Sequence, residues 1–128
     1  MTGADLSEIY RGYIDCLNRQ DWGNLGKYVD EDVRRNGQAL GLEGYRALLV
    51  EDFRAIPDLT FVLELLVCEP PMVASRLAFE CTPVGMLFGL PVNGRRVQFC
   101  ENVFYEFDGG RIRSVWSVID TAAVAAQL

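Results

Sequence analysis

From Leu59 onward the chain is a succession of strand-like segments, "LTFVLELLVC", "MVASRLAFECT", "RRVQFCENVFYEF" and "GRIRSVWSVID". They are rich in β-branched and aromatic residues, and "EPP", the Gly/Pro/Asn-containing stretch 83–94 and "DGG" separate them. The turn at Asp108, Gly109 and Gly110 is short enough to require an antiparallel hairpin between the last two. Ahead of Leu59 the chain reads as helical segments. Helices followed by a run of antiparallel strands define an α+β class, not the alternating α/β one.

Three helices are expected. In "DLSEIYRGYIDCLNRQD", Asp5 and Glu8 have capping-box spacing, and Leu6, Ile9, Tyr10, Tyr13, Ile14 and Leu17 form one apolar stripe. "DWGNLGKYVDEDV" reads as a shorter helix capped by Asp21 and weakened by Gly23 and Gly26. The third runs from Leu42 to Ala55 with Tyr45, Leu48, Leu49 and Phe53 on one side, and Pro57 ends it. No linker, repeat or low-complexity segment interrupts the pattern. Residues 1–128 are therefore expected to form one domain, a length sufficient for an independent core.

Alternation assigns faces to the strands. Val97, Phe99, Val103, Tyr105 and Phe107 share one face, and Glu101 interrupts that apolar row. In the last segment Ile112, Ser114, Trp116, Val118 and Asp120 should share a face, so a carboxylate ends this row too. Both rows are expected to turn toward the helices. The reverse faces carry Val62, Leu66, Val115 and Ile119, which predicts a homodimer formed through the outer surface of the sheet.

Composition narrows the chemistry. The 128 residues contain no histidine, which removes Ser-His-Asp triads, Cys-His dyads, His-based zinc sites and imidazole acid/base catalysis. Catalysis must rest on carboxylates, tyrosines, lysine or cysteine. A net charge of -6, spread without long runs, argues against nucleic acid or anionic membranes as partners. Cys16, Cys68, Cys81 and Cys100 lie far apart with no C-x-x-C pair, and each is expected to be a small buried apolar residue. The opening "MTGADLSEIY" lacks a secretory signal and no apolar run approaches membrane-spanning length, so a soluble cytoplasmic protein is expected.

The order of "GLEGYRALL" before "PDLTF", "FGLPVNGRRV" before the hairpin and "DGGRIRSVWSVIDTAAVAAQL" at the end resembles the SnoaL-like polyketide cyclases, or ester cyclases. The likeness covers nearly the whole chain. It implies the cone-shaped α+β barrel of the nuclear transport factor 2-like and ketosteroid-isomerase-like superfamily, with N-terminal helices on a curved, mostly antiparallel sheet. It further implies intramolecular aldol ring closure without metal or cofactor. An aspartate near the end of the last strand is the family's acid/base, and Asp120 matches it. Asn36 in "VRRNG" is the nearest match to a pocket asparagine, and Tyr10 or Tyr13 to a tyrosine of the first helix. Family members often carry a histidine where this chain has Pro83, in "CTPVG", and another where it reads "CENVFYEF".

The chemistry expected of Asp120 also stands on physical grounds. A carboxylate stripped of water on an apolar strand gains basicity and can remove a proton next to a carbonyl. Phe99, Tyr105 and Trp116 would line its pocket, with Glu101, a tyrosine or the Trp116 indole as donor to the enolate. The structural alternatives are equally specific. Asp120 can cap the helical tail "DTAAVAAQL", Glu101 can pair with Arg76 or Arg95, Asn36 can be a turn residue beside Gly37, and the aromatics can be core. Three functions stay open: a cyclase on a small apolar carbonyl compound, a dehydratase or isomerase using the same base, and a non-catalytic binding or structural dimer.

Overall fold

The computed structural model describes residues 1–128. Helix α1 spans Gly3–Asn18 and buries Leu6, Tyr10, Tyr13, Ile14 and Leu17, the stripe its sequence draws. Its capping box lies a turn earlier than expected. The Thr2 hydroxyl accepts from the Asp5 backbone N–H at 3.1 Å, and the Asp5 carboxylate accepts from the Thr2 N–H at 2.8 Å. The Asn18 side chain then exchanges two hydrogen bonds with the backbone of Phe61, at 2.7 and 2.9 Å, pinning the end of the helix to the entry of the sheet.

The second predicted helix is absent as such. Only a 3₁₀ turn forms over Trp22–Lys27, and Asp21 bonds the Asn24 side chain without capping the backbone. From Val29 to Arg35 the chain is instead a strand, β1. Gly23 and Gly26 deny the helix its length, and the burial of Val29 and Val33, four residues apart, suits a strand face as well as a helical one. Asn36 and Gly37, both at positive φ, turn the chain into β2 (Gln38–Ala39). Helix α2 then covers Gly41–Ala55 and buries Tyr45, Leu49 and Phe53.

Strands β3 (Val62–Glu69), β4 (Met72–Cys81), β7 (Val97–Asp108) and β8 (Arg111–Ile119) realise the four predicted segments. A small hairpin, β5 (Met86–Leu87) and β6 (Leu90–Pro91), rises between β4 and β7, and α3 (Thr121–Ala126) closes the chain. The main sheet has the order β2-β1-β8-β7-β4-β3, antiparallel except where β1 runs parallel to β8. Helices pack on its curved inner face, as the α+β expectation requires.

Two bulges reverse part of the expected facing. In the β7–β8 hairpin Glu106 pairs with Ser114 but Phe107 with Ile112, so Arg113 is an extra residue and the alternation resets behind it. Ile112, Val115, Ser117 and Ile119 face inward, while Trp116 (43% exposed), Val118 (70%) and Asp120 face out. A second shift at Glu64 in β3 turns Leu66 inward and Leu65 and Val67 outward. Of the four residues expected on the outer face, only Val62 lies there. That face is nonetheless more apolar than predicted, carrying Val62, Leu65, Val67, Phe104, Trp116 and Val118. All four cysteines are free; Cys16 and Cys81 are buried, Cys68 and Cys100 half-buried. No helix is long and apolar enough to cross a membrane.

Candidate active site

Between α2, the inner face of the sheet and the β5–β6 hairpin lies a cavity of about 290 Å³. Its walls are mostly apolar, with Phe61, Phe79 and Phe99 in contact as a chain of rings; Phe79 stacks on Phe99 at 5.0 Å between centroids. Phe88, at the tip of the small hairpin, meets Phe99 edge-on at 5.6 Å and forms one lip of the opening. Three charged side chains enter this lining: Arg35, Asp52 and Glu101. A smaller chamber of about 40 Å³ lies deeper, against Tyr13, Tyr45, Tyr105 and Ser117, and the same three charged residues border it.

Glu101 stands between the two spaces. It projects from the middle of β7, level with Leu77 on β4 and Ile119 on β8, so apolar neighbours flank it on both sides. Burial pushes its carboxyl above the ordinary glutamate value, against the opposing pull of the Ser117 hydroxyl, which donates to its Oε2, and of the Arg35 charge. Neither arginine considered as a partner reaches it: Arg76 pairs with Glu64 at 3.0 Å and Arg95 bonds the Leu128 carbonyl.

Asp52 sits at the rim on α2, open to bulk water yet backed by the cavity. Loss of hydration, then the negative charge of Glu101, raise its pKa to about 6 from 3.8, while Arg35 acts in the opposite sense. Arg35 comes from the end of β1, in register with Val115. The tyrosines behind are bonded in pairs. Tyr13 and Tyr45 share a hydrogen bond of 2.6 Å, and Tyr10 bonds Ser75 at 2.6 Å and donates to Tyr105 at 3.2 Å. Burial lifts Tyr10 to about 12 and pushes Tyr13, Tyr45 and Tyr105 up as well, so all four remain neutral hydroxyls.

The residues singled out in the sequence divide accordingly. Phe99 and Glu101 line the main cavity, and Tyr13 and Tyr105 the deeper chamber. Tyr10 is fully buried one layer behind, with its hydroxyl held by Ser75, so between the two candidate tyrosines Tyr13 is the one at the chamber. Three residues lie elsewhere. Asn36 uses its side-chain oxygen to accept from the Ser117 backbone N–H at 2.9 Å, extending the β1–β8 pairing beyond the turn. Trp116 is on the outer surface of the sheet. Asp120 is exposed at the start of α3, where it accepts from the Ala123 N–H at 3.0 Å, the helix-capping alternative. The Arg113 bulge is the reason for the last two, since it inverts the facing of every later residue in β8.

Arg35 and Asp52 had not been singled out. Asp52 had left a trace, because it falls within the α2 stripe of Tyr45, Leu48, Leu49 and Phe53 and breaks it with a charge. Arg35 shares a strand face with Val29 and Val33, but that face is hidden when 21–33 is read as a helix.

A curved sheet roofed by helices, with an apolar cavity between them and a few titratable groups on its wall, defines the cone-shaped α+β class. The family model for SnoaL-like polyketide cyclase matches residues 7–128, and the chain belongs to that family. A crystal structure of a SnoaL-like polyketide cyclase from Agrobacterium tumefaciens str. C58 is 51% identical, with 99% of this chain and 98% of that one covered and a TM-score of 0.95. TsrD from Streptomyces laurentii superposes with a TM-score of 0.87 at 23% identity, over 99% of this chain and 96% of its own. For IdmH from Streptomyces antibioticus the values are 0.83 and 21%, over 95% and 96%. These last two likenesses speak for the fold alone. No curated protein matches the chain in sequence.

Proposed function

We propose that the protein is an acid/base enzyme acting on a small apolar carbonyl compound, closing a ring by intramolecular aldol condensation, with Glu101 as the proton-transferring group. The observation that supports this is the Glu101 carboxyl itself, held by the Ser117 hydroxyl on the wall of an apolar cavity and raised by burial. A carboxylate of this kind is a stronger base than one in water and a ready acid once protonated. It takes the proton from a carbon next to a carbonyl. The enolate carbon attacks a second carbonyl of the same molecule, and the protonated Glu101 returns its proton to the new alkoxide. Only protons move and one carbon–carbon bond forms, so the reaction as written calls for no cofactor.

The cavity contributes by confinement. Folding a flexible substrate so that its two carbons meet supplies up to roughly 7 kcal/mol or more of the barrier reduction in favourable cases. The same base acting on a substrate without a second carbonyl within reach would isomerise it or eliminate water. Asp120 does not enter this scheme, because its carboxylate caps α3 and borders a separate, more open groove of about 480 Å³ in place of the cavity that holds Glu101. Membership of the family and the four free thiols fit a cytosolic protein, and the outer apolar face fits a homodimer built sheet to sheet.

Turnover of a panel of β-keto esters by the wild type, Glu101→Gln and Asp120→Asn tests the assignment. Loss of turnover in Glu101→Gln with full turnover in Asp120→Asn is expected. The reverse pattern removes Glu101 from the reaction, and an inert wild type that still binds these esters identifies a binding protein instead.

A further inference from the structure

The chain has eleven arginines, and in ten of them the side chain bonds a neighbouring carboxylate, hydroxyl or carbonyl. Arg35 is the exception. No ion pair within 4.0 Å joins it to Glu101 or Asp52, although both border the same two spaces, and its side chain has no hydrogen-bond partner in the protein. Half-buried at the border of both spaces, a guanidinium that bonds neither carboxylate keeps its donors free for a molecule that enters the cavity.

We propose that Arg35 is the specificity-determining residue of this site, selecting compact substrates whose enolate carries its charge on two oxygens, as in a 1,3-dicarbonyl compound. This rests on the reading of Glu101 as the base. Geometry and charge both point to it. The planar fork of a guanidinium matches a pair of oxygens on one face and donates to both at once, which a single ketone oxygen cannot use.

Charge bookkeeping disfavours the obvious rival, a permanent carboxylate. Such a ligand would share the cavity wall with Glu101 and Asp52 as well as with Arg35. A 1,3-dicarbonyl compound arrives neutral. When Glu101 takes the proton between the two carbonyls, the electron pair of the broken C–H bond spreads over both oxygens, and Glu101 becomes neutral in the same step. The negative charge is thus moved from Glu101 to the two oxygens at Arg35, and the total charge of the cavity is unchanged. Volume sets the size, since about 290 Å³ is at the lower end of small-molecule pockets and suits one or two rings, not four.

The probes are 1-phenylbutane-1,3-dione and 1-phenylbutan-1-one, which share a skeleton and differ by one carbonyl oxygen. Binding of each is measured by calorimetry, and enolate formation on the protein by its ultraviolet absorbance, for the wild type, Arg35→Met, Arg35→Lys and Glu101→Gln. The wild type should bind the diketone at least tenfold more tightly than the monoketone. Arg35→Met should bring the two within about threefold, and an unchanged circular-dichroism spectrum and urea midpoint should report a folded protein. Arg35→Lys, which keeps the charge and loses the fork, should lose most of the preference.

A wild type without preference, or either Arg35 variant retaining it, overturns the proposal. Glu101→Gln tests the underlying reading separately. If it still forms enolate as the wild type does while Arg35→Met does not, Glu101 is not the base and the role of Arg35 stands.

Discussion

If the outer sheet face is a homodimer interface, Phe104 and Trp116 must be its centre. They are cross-strand partners in the β7–β8 hairpin, 56% and 43% exposed, with Val118, Val67, Leu65 and Val62 around them. A large aromatic side chain presents 150–250 Å² for burial, so each leaves roughly 100 Å² to be covered by a partner. In a two-fold dimer both residues count twice, giving about 400 Å², or about 10 kcal/mol of gross hydrophobic stabilisation at roughly 25 cal/mol per Å². Losses of translational freedom and imperfect packing take back much of this. Even a quarter of it, about 2.5 kcal/mol, weakens association by roughly 60-fold. The double variant Phe104→Ala/Trp116→Ala should therefore sediment as a monomer at concentrations where the wild type is a dimer. Analytical ultracentrifugation from sub-micromolar to 100-fold higher concentration reads this directly. A wild type that remains monomeric throughout, or a double variant with an unchanged dissociation constant, refutes the reasoning.

Three smaller perturbations probe the site and its surroundings. Ser117→Ala removes the hydroxyl that pulls the Glu101 pKa down, so the rise of activity with pH should move to higher pH with its plateau retained; a pH–rate profile of proton exchange reads it. Asp52 has a folded pKa of about 6 against 3.8, so the stability it contributes is full below about pH 3.8 and is lost as pH rises through about 6. Asp52→Asn should flatten the dependence of the urea midpoint on pH across that window, and an unchanged slope would contradict the shift. Asp120→Ala should cost about 1 kcal/mol or less through the lost cap of α3, seen as a slightly lower Tm, and leave proton exchange untouched.

How much of this was legible depends on where alternation is continuous. Helix α1 and strand β7 could be read because one face of each is apolar at regular spacing, and Glu101 stood out as the single charge in the β7 row. Strand β8 could not be read the same way. Both of its faces are apolar, Ile112, Val115 and Ile119 inside and Trp116 and Val118 outside, so nothing in the pattern marks Arg113 as the extra residue. Glu64 in β3 is masked similarly by Leu63, Leu65 and Leu66. Residues 29–35 were ambiguous for another reason, since a four-residue spacing is common to a helical stripe and a strand face, and this cost the sight of Arg35. The cyclase resemblance identified the fold and family, but its catalytic position at Asp120 depended on the facing of one strand.

That facing couples the site to the surface. Continued without the bulge, the alternation of β8 would turn Trp116 and Asp120 inward in place of Ser117 and Ile119. An indole would then occupy the level of the deep chamber of about 40 Å³, and Glu101 would lose the hydroxyl that bonds it. The outer face would lose Trp116 and Val118 at the same stroke and receive Ser117 and Ile119. One inserted residue, Arg113, thus clears room beside the buried carboxylate, supplies its hydrogen-bond donor and concentrates apolar side chains on the opposite surface. The same register therefore serves the proposed proton transfer on one side of the sheet and the proposed dimer on the other. A change that slips the β7–β8 hairpin would disturb both together, whereas a side-chain substitution on either face leaves the other intact.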